Sequence, residues 1–377
     1  MRIQSNRDLE EILEIIWNKS IEYTEKVSRS KVYNRKPGVA ITKSTIGNWF
    51  YEKAVKDVIP ITLAQEFARK HNIITRGDRG IIGSIAAVSF RPVEFTYELI
   101  TYRPSEEWDK SRREVDPQSV IKYDERFFPH VFANFDYIKN NILITPHGND
   151  PILYGIRGTD IDSLLFGLET IRTKDKVEMV MLFKTNQGTD DHILPNSHYF
   201  YQTTEIMTKV ENIEIREGGD VLIEANENII VVYKETGELN AAAKLLQKGD
   251  LIKVIGAIKP SISYGKIIEA ERIEILQLFS NGKKNPRCPK CNGPTESLGR
   301  NKGFRCKKCS YRFFGEKEIL QIERELSLGV YQSRYYRHLT KPIYLKPSSS
   351  HELNQEKINE LVSKLLNYSK NIDLHKQ

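Results

Sequence analysis

Four cysteines within 22 residues constrain this 377-residue chain more than any other feature of its sequence. They stand as Cys288-x2-Cys291, then fourteen residues, then Cys306-x2-Cys309. A Cys-x2-Cys pair turns the backbone so that both sulfurs face one side. Two such turns place four thiolates at tetrahedral corners, which suits Zn²⁺. A secreted protein stapled by disulfides would spread its cysteines, so the clustering points to metal binding in a reducing compartment. Arg287, Lys290, Arg305, Lys307 and Lys308 lie beside the ligands and offset the charge of a four-thiolate zinc site. A module this small has little apolar core, and the metal should supply most of its folding energy. Phe304, Tyr311, Phe313 and Phe314 interleave with the basic residues, a mixture that suits stacking on RNA bases beside phosphate contacts. Packing over the zinc turns explains any single one of these rings equally well.

The basic character extends around this module. Residues 281–350 carry 16 Lys and Arg against 5 Glu, whereas the rest of the chain carries 41 basic and 45 acidic residues. One segment thus holds the excess positive charge behind the net +7, as expected of a surface that lies on a polyanion. A solvated basic face is the plainer account. No run of eighteen apolar residues exists, and the polar start Met1 to Glu14 lacks the apolar core of a secretory signal, so a cytoplasmic protein is expected.

The length suggests several domains. Residues 1–30, Asn48 to Val58 and Thr62 to His71 read as helices. Ile81 to Val88 reads as an apolar strand and Phe95 to Tyr102 as another, with a charged, exposed stretch from Glu106 to Asp116. Tyr154 to Gly158 ends a strand, Asp160 to Ile171 suits a helix, and Val177 to Phe183 reads as a buried strand; this order fits an α/β layer. From residue 203, four Val- and Ile-rich strands and one helix, Leu239 to Leu246, stand in a stretch with room for five or so strands, the count of an OB-fold barrel, which other small barrels share. Glu316 to Leu328 and Leu353 to Tyr368 are predicted helices.

Three polar runs carry candidate chemistry. Lys184 to His192 follows a strand, where α/β folds place ligands. Gly188 lets the backbone approach a phosphate, Asp190 and Asp191 suit Mg²⁺ or a proton, and His192 suits an acid, base or ligand. Thr145 to Asp150 precedes Gly155-Ile-Arg-Gly158, and Arg157 could grip phosphate with two nitrogens. Arg76-Gly-Asp-Arg79-Gly80 fits anion binding or a tight turn. Glu98 and Arg103 bracket a strand and read equally well as an ion pair.

The order and wording of these runs resemble the archaeal tRNA-isoleucine 2-agmatinylcytidine synthetases. The resemblance rests on Pro37-Gly-Val-Ala40, Arg79-Gly-Ile-Ile-Gly-Ser-Ile-Ala-Ala87, Thr96-Tyr-Glu-Leu-Ile-Thr-Tyr-Arg103, Pro146-His-Gly148 with Asp150-Pro151, Tyr154-Gly-Ile-Arg-Gly158 and Thr185-Asn-Gln-Gly-Thr-Asp190. It covers nearly the whole chain and implies an α+β multidomain protein. A ferredoxin-like domain (1–145) would be inserted in a partial kinase-like α/β domain (146–200). An OB-fold (203–280), a zinc ribbon (281–315) and a helical extension (316–377) would follow. The implied reaction uses ATP and Mg²⁺ to join agmatine to carbon 2 of the wobble cytidine of CAU-anticodon isoleucine tRNA, so that it decodes AUA. The family's Asp-rich loop, of the form Gly-Ile-Asp-Asp-Thr-Asp-Ser, has no counterpart here; a late start or a separate chain carrying it is expected. The resulting assignment gives Asp190, His192 and Arg157 to catalysis. Thr185, Asn186, Gln187, Gly188 and Arg79 go to the nucleotide, and Glu98, Arg103, Lys307, Lys308 and Phe304 to the other substrates. Cys288, Cys291, Cys306 and Cys309 hold zinc. The competing expectation is a non-catalytic nucleic-acid-binding adaptor that grips through the OB-fold and ribbon.

Overall fold

The computed structural model describes residues 7–27, 36–335, 338–349 and 359–364. The chain divides into two compact units, Met1–Leu194 with Tyr336–Gln377, and Pro195–Tyr335. Among the described residues no helix is long and apolar enough to cross a membrane.

The first unit opens with α1 (Leu9–Val27), β1 (Gly38–Ile41), α2 (Trp49–Lys56), α3 (Ile61–Lys70), β2 (Ile74–Gly77) and α4 (Gly80–Val88). Its core gathers Ile46, Phe50, Ala64, Ala68, Ile73, Ile81 and Ile85. The apolar run expected as a strand at Ile81 is instead α4. Ile81 and Ile85 are buried while Gly83 and Ala87 are exposed, a four-residue rhythm that only a helix produces. Its first residue meets β1 backbone to backbone: a Cβ on Gly38 would lie 2.0 Å from the Gly80 carbonyl carbon. Both glycines are therefore required by space.

The second part of this unit is an antiparallel sheet with two helices on one face. In chain order it runs β3 (Glu94–Tyr102), α5 (Pro117–Phe127), β4 (Val131–Phe132), β5 (Ile152–Gly158), α6 (Ile161–Thr170) and β6 (Met179–Thr185). The strands lie in the order β4-β5-β3-β6. Asp116 caps α5 through the Gln118 N–H ahead of Pro117, and Asp160 caps α6 through the Ser163 N–H at 2.8 Å. Phe95, Tyr97 and Leu99 alternate toward the helices and pack with Tyr123, Leu153, Ile156 and Leu164. Residues 359–364 are helical and Leu361 joins this core; the rest of the helix expected over Leu353 to Tyr368 lies outside the described residues.

The boundary expected between residues 145 and 146 falls inside this sheet. β3, from one side of it, pairs with both β5 and β6 from the other. Residues 146–185 are thus no separate fragment: Val180 and Leu182 pack on the same core as β3. Adjacent sequence cannot show that a strand's partner lies 80 residues away, and a boundary drawn from sequence order alone misses the pairing.

In the second unit β7 (Thr203–Lys209), β8 (Asn212–Ile215), β9 (Val221–Ala225), β10 (Asn228–Val232), α7 (Glu238–Lys244), β11 (Leu251–Ser261) and β12 (Gly265–Gln277) follow in turn. Their order in space is β8-β9-β10-β12-β11-β7. β7 and β8 are separated only by Val210 and Glu211, so the path returns to its start and closes a Greek-key barrel. β10 and β12 run parallel. Val221, Ile223, Ile230, Val254, Ile258 and Ile273 fill its interior against Leu239 of α7.

Beyond the barrel come β13 (Asn281–Lys284), β14 (Thr295–Ser297), β15 (Phe304–Cys306), β16 (Arg312–Phe313), β17 (Glu318–Gln321) and β18 (Gly329–Gln332). The helix expected over Glu316 to Leu328 is absent, and with it the all-helical extension from residue 316. β17 pairs with β13 and so brackets the cysteine module, and β18 adds to the barrel on β12. Between them Arg324 is buried on Asp250 by two bonds of 2.9 Å, while Phe279 and Gln247 donate N–H groups to the same carboxylate. Burial alone would raise this carboxyl, but Arg324 and the two N–H donors hold it below its ordinary value.

Candidate functional site

The face of the sheet away from the helices carries the even-numbered positions of β3. Glu98 sits directly opposite Arg157 of β5, and Arg157 Nε donates to Glu98 Oε1 at 2.9 Å. The other carboxylate oxygen of Glu98 accepts from Gln187 Nε2 at 2.6 Å. Thr96 Oγ1 donates to the Gln187 carbonyl at 2.7 Å, so Gln187 is held at both ends. Three residues singled out in sequence, Glu98, Arg157 and Gln187, thus form one hydrogen-bonded group. Among the described residues, the terminal nitrogens of Arg157 have no partner, and they remain available to an oxyanion. Tyr102 lies two positions along the same face; burial, with Glu98 and Asp150 nearby, raises its hydroxyl above the ordinary value.

The Thr185–His192 loop begins where β6 ends, and its shape is set by distant chain. Gly188 N–H donates to the His338 carbonyl and Asp190 N–H to the Leu339 carbonyl. Lys341 N–H donates to Asp190 Oδ1 at 2.6 Å. Gly188 has φ +66°, and a Cβ there would meet Phe132 and Leu345 within 3.2 Å. The glycine is therefore demanded by packing, and the expected open approach to a phosphate is not what it provides. Asp190, at φ +64°, ties the loop to residues 339–341. His192 is buried. Asn186 offers its carbonyl to Thr189 Oγ1 at 2.7 Å.

Asp191 is the carboxylate of this loop that bonds to the first part of the chain. It is half-buried and accepts from the Tyr51 hydroxyl at 2.5 Å. Burial raises the Asp191 carboxyl above its ordinary value, opposed by bonds from Tyr51 and Thr189. Burial and the same carboxylate push the Tyr51 hydroxyl well up. Tyr51 lies in a helix whose polar residues carry no sequence signal.

Two further arginines serve the scaffold. Arg103 is buried and donates to the carbonyls of Lys110 and Asp150, so the expected role at a substrate pocket does not fit its position. Arg113, which sequence reading passes over within an exposed-looking stretch, donates to the carbonyls of Ile152, Pro146, Gly148 and Asp150. Together they fix the Pro146–Asp150 run ahead of β5. Burial, then the nearby Arg103, lowers the pKa of Arg113. Arg79 is exposed where α4 begins.

In the cysteine module the four Sγ atoms lie within 4.8 Å of one another, with contacts of 3.4 to 3.6 Å. Four thiolates around zinc at about 2.3 Å stand about 3.8 Å apart, so this donor set fits the ion. The N–H groups of Cys309 and Lys308 point at Cys306 Sγ and lower its pKa to about 6, favouring the thiolate. Phe304 is buried against Phe313, with ring centroids 5.9 Å apart, so it packs the module and does not offer a stacking face. Lys307 and Lys308 are exposed, as is Phe314.

Residues 78–192 match the family model for the TiaS FLD domain, and residues 285–326 match that for the TiaS C-terminal zinc ribbon domain. The isoleucine-tRNA 2-agmatinylcytidine synthetase TiaS of Saccharolobus islandicus is 51% identical over 352 residues, which cover 91% of this chain and 79% of the relative. The chain belongs to the TiaS family of isoleucine-tRNA 2-agmatinylcytidine synthetases. Two solved structures of TiaS are similar in fold. The complex with its isoleucine tRNA and ATP is 32% identical, with a TM-score of 0.67 over 81% of this chain and 74% of that one. The complex with the same tRNA, AMPCPP and agmatine is 31% identical, with a TM-score of 0.65 over the same shares. The first matched segment of this synthetase-family chain encloses both the Glu98–Arg157–Gln187 group and the loop beside it.

Proposed function

We propose that this chain is an ATP-dependent ligase that attaches agmatine to carbon 2 of the wobble cytidine in CAU-anticodon isoleucine tRNA. The observation that carries the reading is the likeness along 81% of the chain to a TiaS structure in complex with its isoleucine tRNA, AMPCPP and agmatine. In this reading the sheet is a ferredoxin-like domain, the barrel an OB-fold and the cysteine module a zinc ribbon, acting in the cytoplasm.

The chemistry follows from a poor leaving group. The cytosine C2 oxygen attacks the γ-phosphorus of ATP and ADP departs. The primary amine of agmatine then adds to C2, the C2–O bond breaks with release of phosphate, and a proton leaves the nitrogen. Mg²⁺, when bound, would neutralise phosphate charge. Arg157 turns its free guanidinium nitrogens to an oxyanion, while Glu98 and Gln187 lock its side chain. Glu98 already holds one guanidinium, so it positions Arg157 and is not itself the agmatine partner. Thr185, Asn186 and Gln187 line the loop for the nucleotide or base. Asp191, half-buried and with a raised pKa, is placed to take a proton or face a cation beside Asp190 and His192 of the same loop. Lys307 and Lys308 meet tRNA phosphates. Reaching C2 requires the base to leave its stack.

The test is incorporation of labelled agmatine into CAU-anticodon isoleucine tRNA with ATP and Mg²⁺. Incorporation that falls at least tenfold in Arg157→Ala is expected. Zinc-dependent tRNA binding without incorporation would favour the adaptor reading instead.

A further inference from the structure

Tyr199, Phe200 and Tyr201 are consecutive, and all three are exposed, at 75%, 48% and 65%. Single exposed aromatics need no explanation, but three in a row leave a contiguous apolar surface in water. The backbone that presents them is strained. Tyr201 has φ +69°, a conformation that an aromatic residue adopts only when its surroundings enforce it. The surroundings do so: Tyr201 N–H donates to the Ile258 carbonyl, and Ile258 N–H donates to the Gln202 carbonyl, both at 2.8 Å. The buried Gln202 side chain is further held by the Ser197 hydroxyl. The segment is thus pinned along the end of β11, and its rings stand outward.

Positive charge accompanies the rings. Lys259 Nζ lies 5.5 Å from the Tyr201 ring centroid. The β11–β12 turn that follows Lys259 carries Ile262 and Tyr264, and Arg216, from the turn between β8 and β9, donates to the Tyr264 hydroxyl at 2.7 Å. Barrels of this kind bind oligonucleotides through one sheet face and the loops at its edge. Aromatic faces beside cations are the surface on which unpaired bases stack while phosphates pair with the charges.

We infer that the Tyr199–Tyr201 segment, with Lys259, is a stacking platform for unpaired nucleotides of the RNA substrate. The inference rests on the tRNA reading above and adds residues that no part of that reading uses. Phe200 and Tyr201 stack bases, Lys259 contacts a phosphate, and the strained Tyr201 backbone keeps the platform formed before RNA arrives.

The experiment measures binding of the full chain to the CAU-anticodon tRNA, to an oligouridine of about ten nucleotides, and to an RNA duplex of that length. Phe200→Ala/Tyr201→Ala should weaken oligouridine binding about tenfold or more, leave duplex binding unchanged, and keep the zinc content of the parent. Tyr201→Phe should bind like the parent, since the ring is retained. Lys259→Ala should lower the salt dependence by about one phosphate contact. Equal oligouridine affinity of the double variant and parent overturns the inference, as does an equal loss on duplex. Agmatine incorporation is followed in parallel. If the parent incorporates none yet the double variant loses single-strand binding, the platform stands and the ligase reading falls.

Discussion

The cysteine module and the Thr185–His192 loop are both short, polar and glycine-bearing, yet they are built on opposite plans. In the module every ligand's partner lies within 21 residues, and the two Cys-x2-Cys turns bring the sulfurs together by themselves. In the loop the partners come from far along the chain: Gln187 to Glu98 spans 89 residues, Asp191 to Tyr51 spans 140, and Asp190 to Lys341 spans 151. The module's chemistry is local, and the loop's is assembled. A metal site can therefore be read from spacing, whereas a hydrogen-bonded site of this kind cannot be assigned until the partners are known.

Removing the metal should produce the largest contrast between them. Metal binding contributes on the order of 10 kcal/mol or more to a ribbon of this type. Cys306→Ser, or strong chelation, is expected to open residues 285–315 to proteolysis while the sheet of β3 to β6 stays protected from amide exchange. Simultaneous exposure of both regions would show that the module is not an autonomous, metal-folded piece.

The same contrast explains what was legible. The four cysteines, the barrel strands and the helices at Leu9, Trp49 and Ile61 follow from spacing and periodicity within a single window. The mistakes sit where a partner outside the window decides. Ile81 to Val88 has no polar alternation to separate strand from helix, and packing of Gly80 on Gly38 settles it. Within Glu316 to Leu328 a strand forms because Asn281–Lys284 is there to pair with it. Arg103 has the residue type of a site but spends its donors on the backbone of other segments, and Asp190 accepts from the Lys341 N–H far along the chain. Arg113 is the converse, ordinary in sequence and significant only through the Pro146–Asp150 carbonyls, whereas Asp191, already marked by its polar run, finds its partner only in the distant Tyr51.

Long-range pairing also operates inside the ribbon-bearing unit, and breaking it gives the next largest effect. Asp250 is fully buried on Arg324, 74 residues away. Asp250→Ala should cost about 3–5 kcal/mol in chemical denaturation, because it strands a buried guanidinium. Asp250→Leu with Arg324→Met should recover much of that loss. A double variant as unstable as the single one would mean that the N–H bonds from Phe279 and Gln247, not the ion pair, carry the stabilisation.

At the candidate site Glu98→Ala leaves Arg157 and Gln187 without their shared acceptor and should cost about 2 kcal/mol. Glu98→Gln keeps an acceptor for one donor and should cost less. If agmatine incorporation falls more in Glu98→Gln than stability does, Glu98 acts through the orientation of Arg157. Parallel losses would reduce the group to a structural one.

The smallest effect tests Asp191, the half-buried carboxylate of the loop. Its folded-state carboxyl is raised, first by burial and also by Glu94, against the lowering pull of Tyr51, Thr189 and Lys56. A raised carboxyl binds its proton more tightly folded than unfolded. Its contribution is therefore complete below the ordinary value of 3.8 and is lost as pH rises through the folded value. Solvent screening of a half-exposed side chain keeps the effect to about 1 kcal/mol or less. Thermal unfolding of parent and Asp191→Asn from about pH 3.5 to about pH 7, a range chosen to bracket carboxylate titration, should show the parent losing ground to the variant as pH rises. A parent that gains relative to the variant would mean that Tyr51 outweighs burial, and Asp191 would then be a plain anion anchored by a hydroxyl.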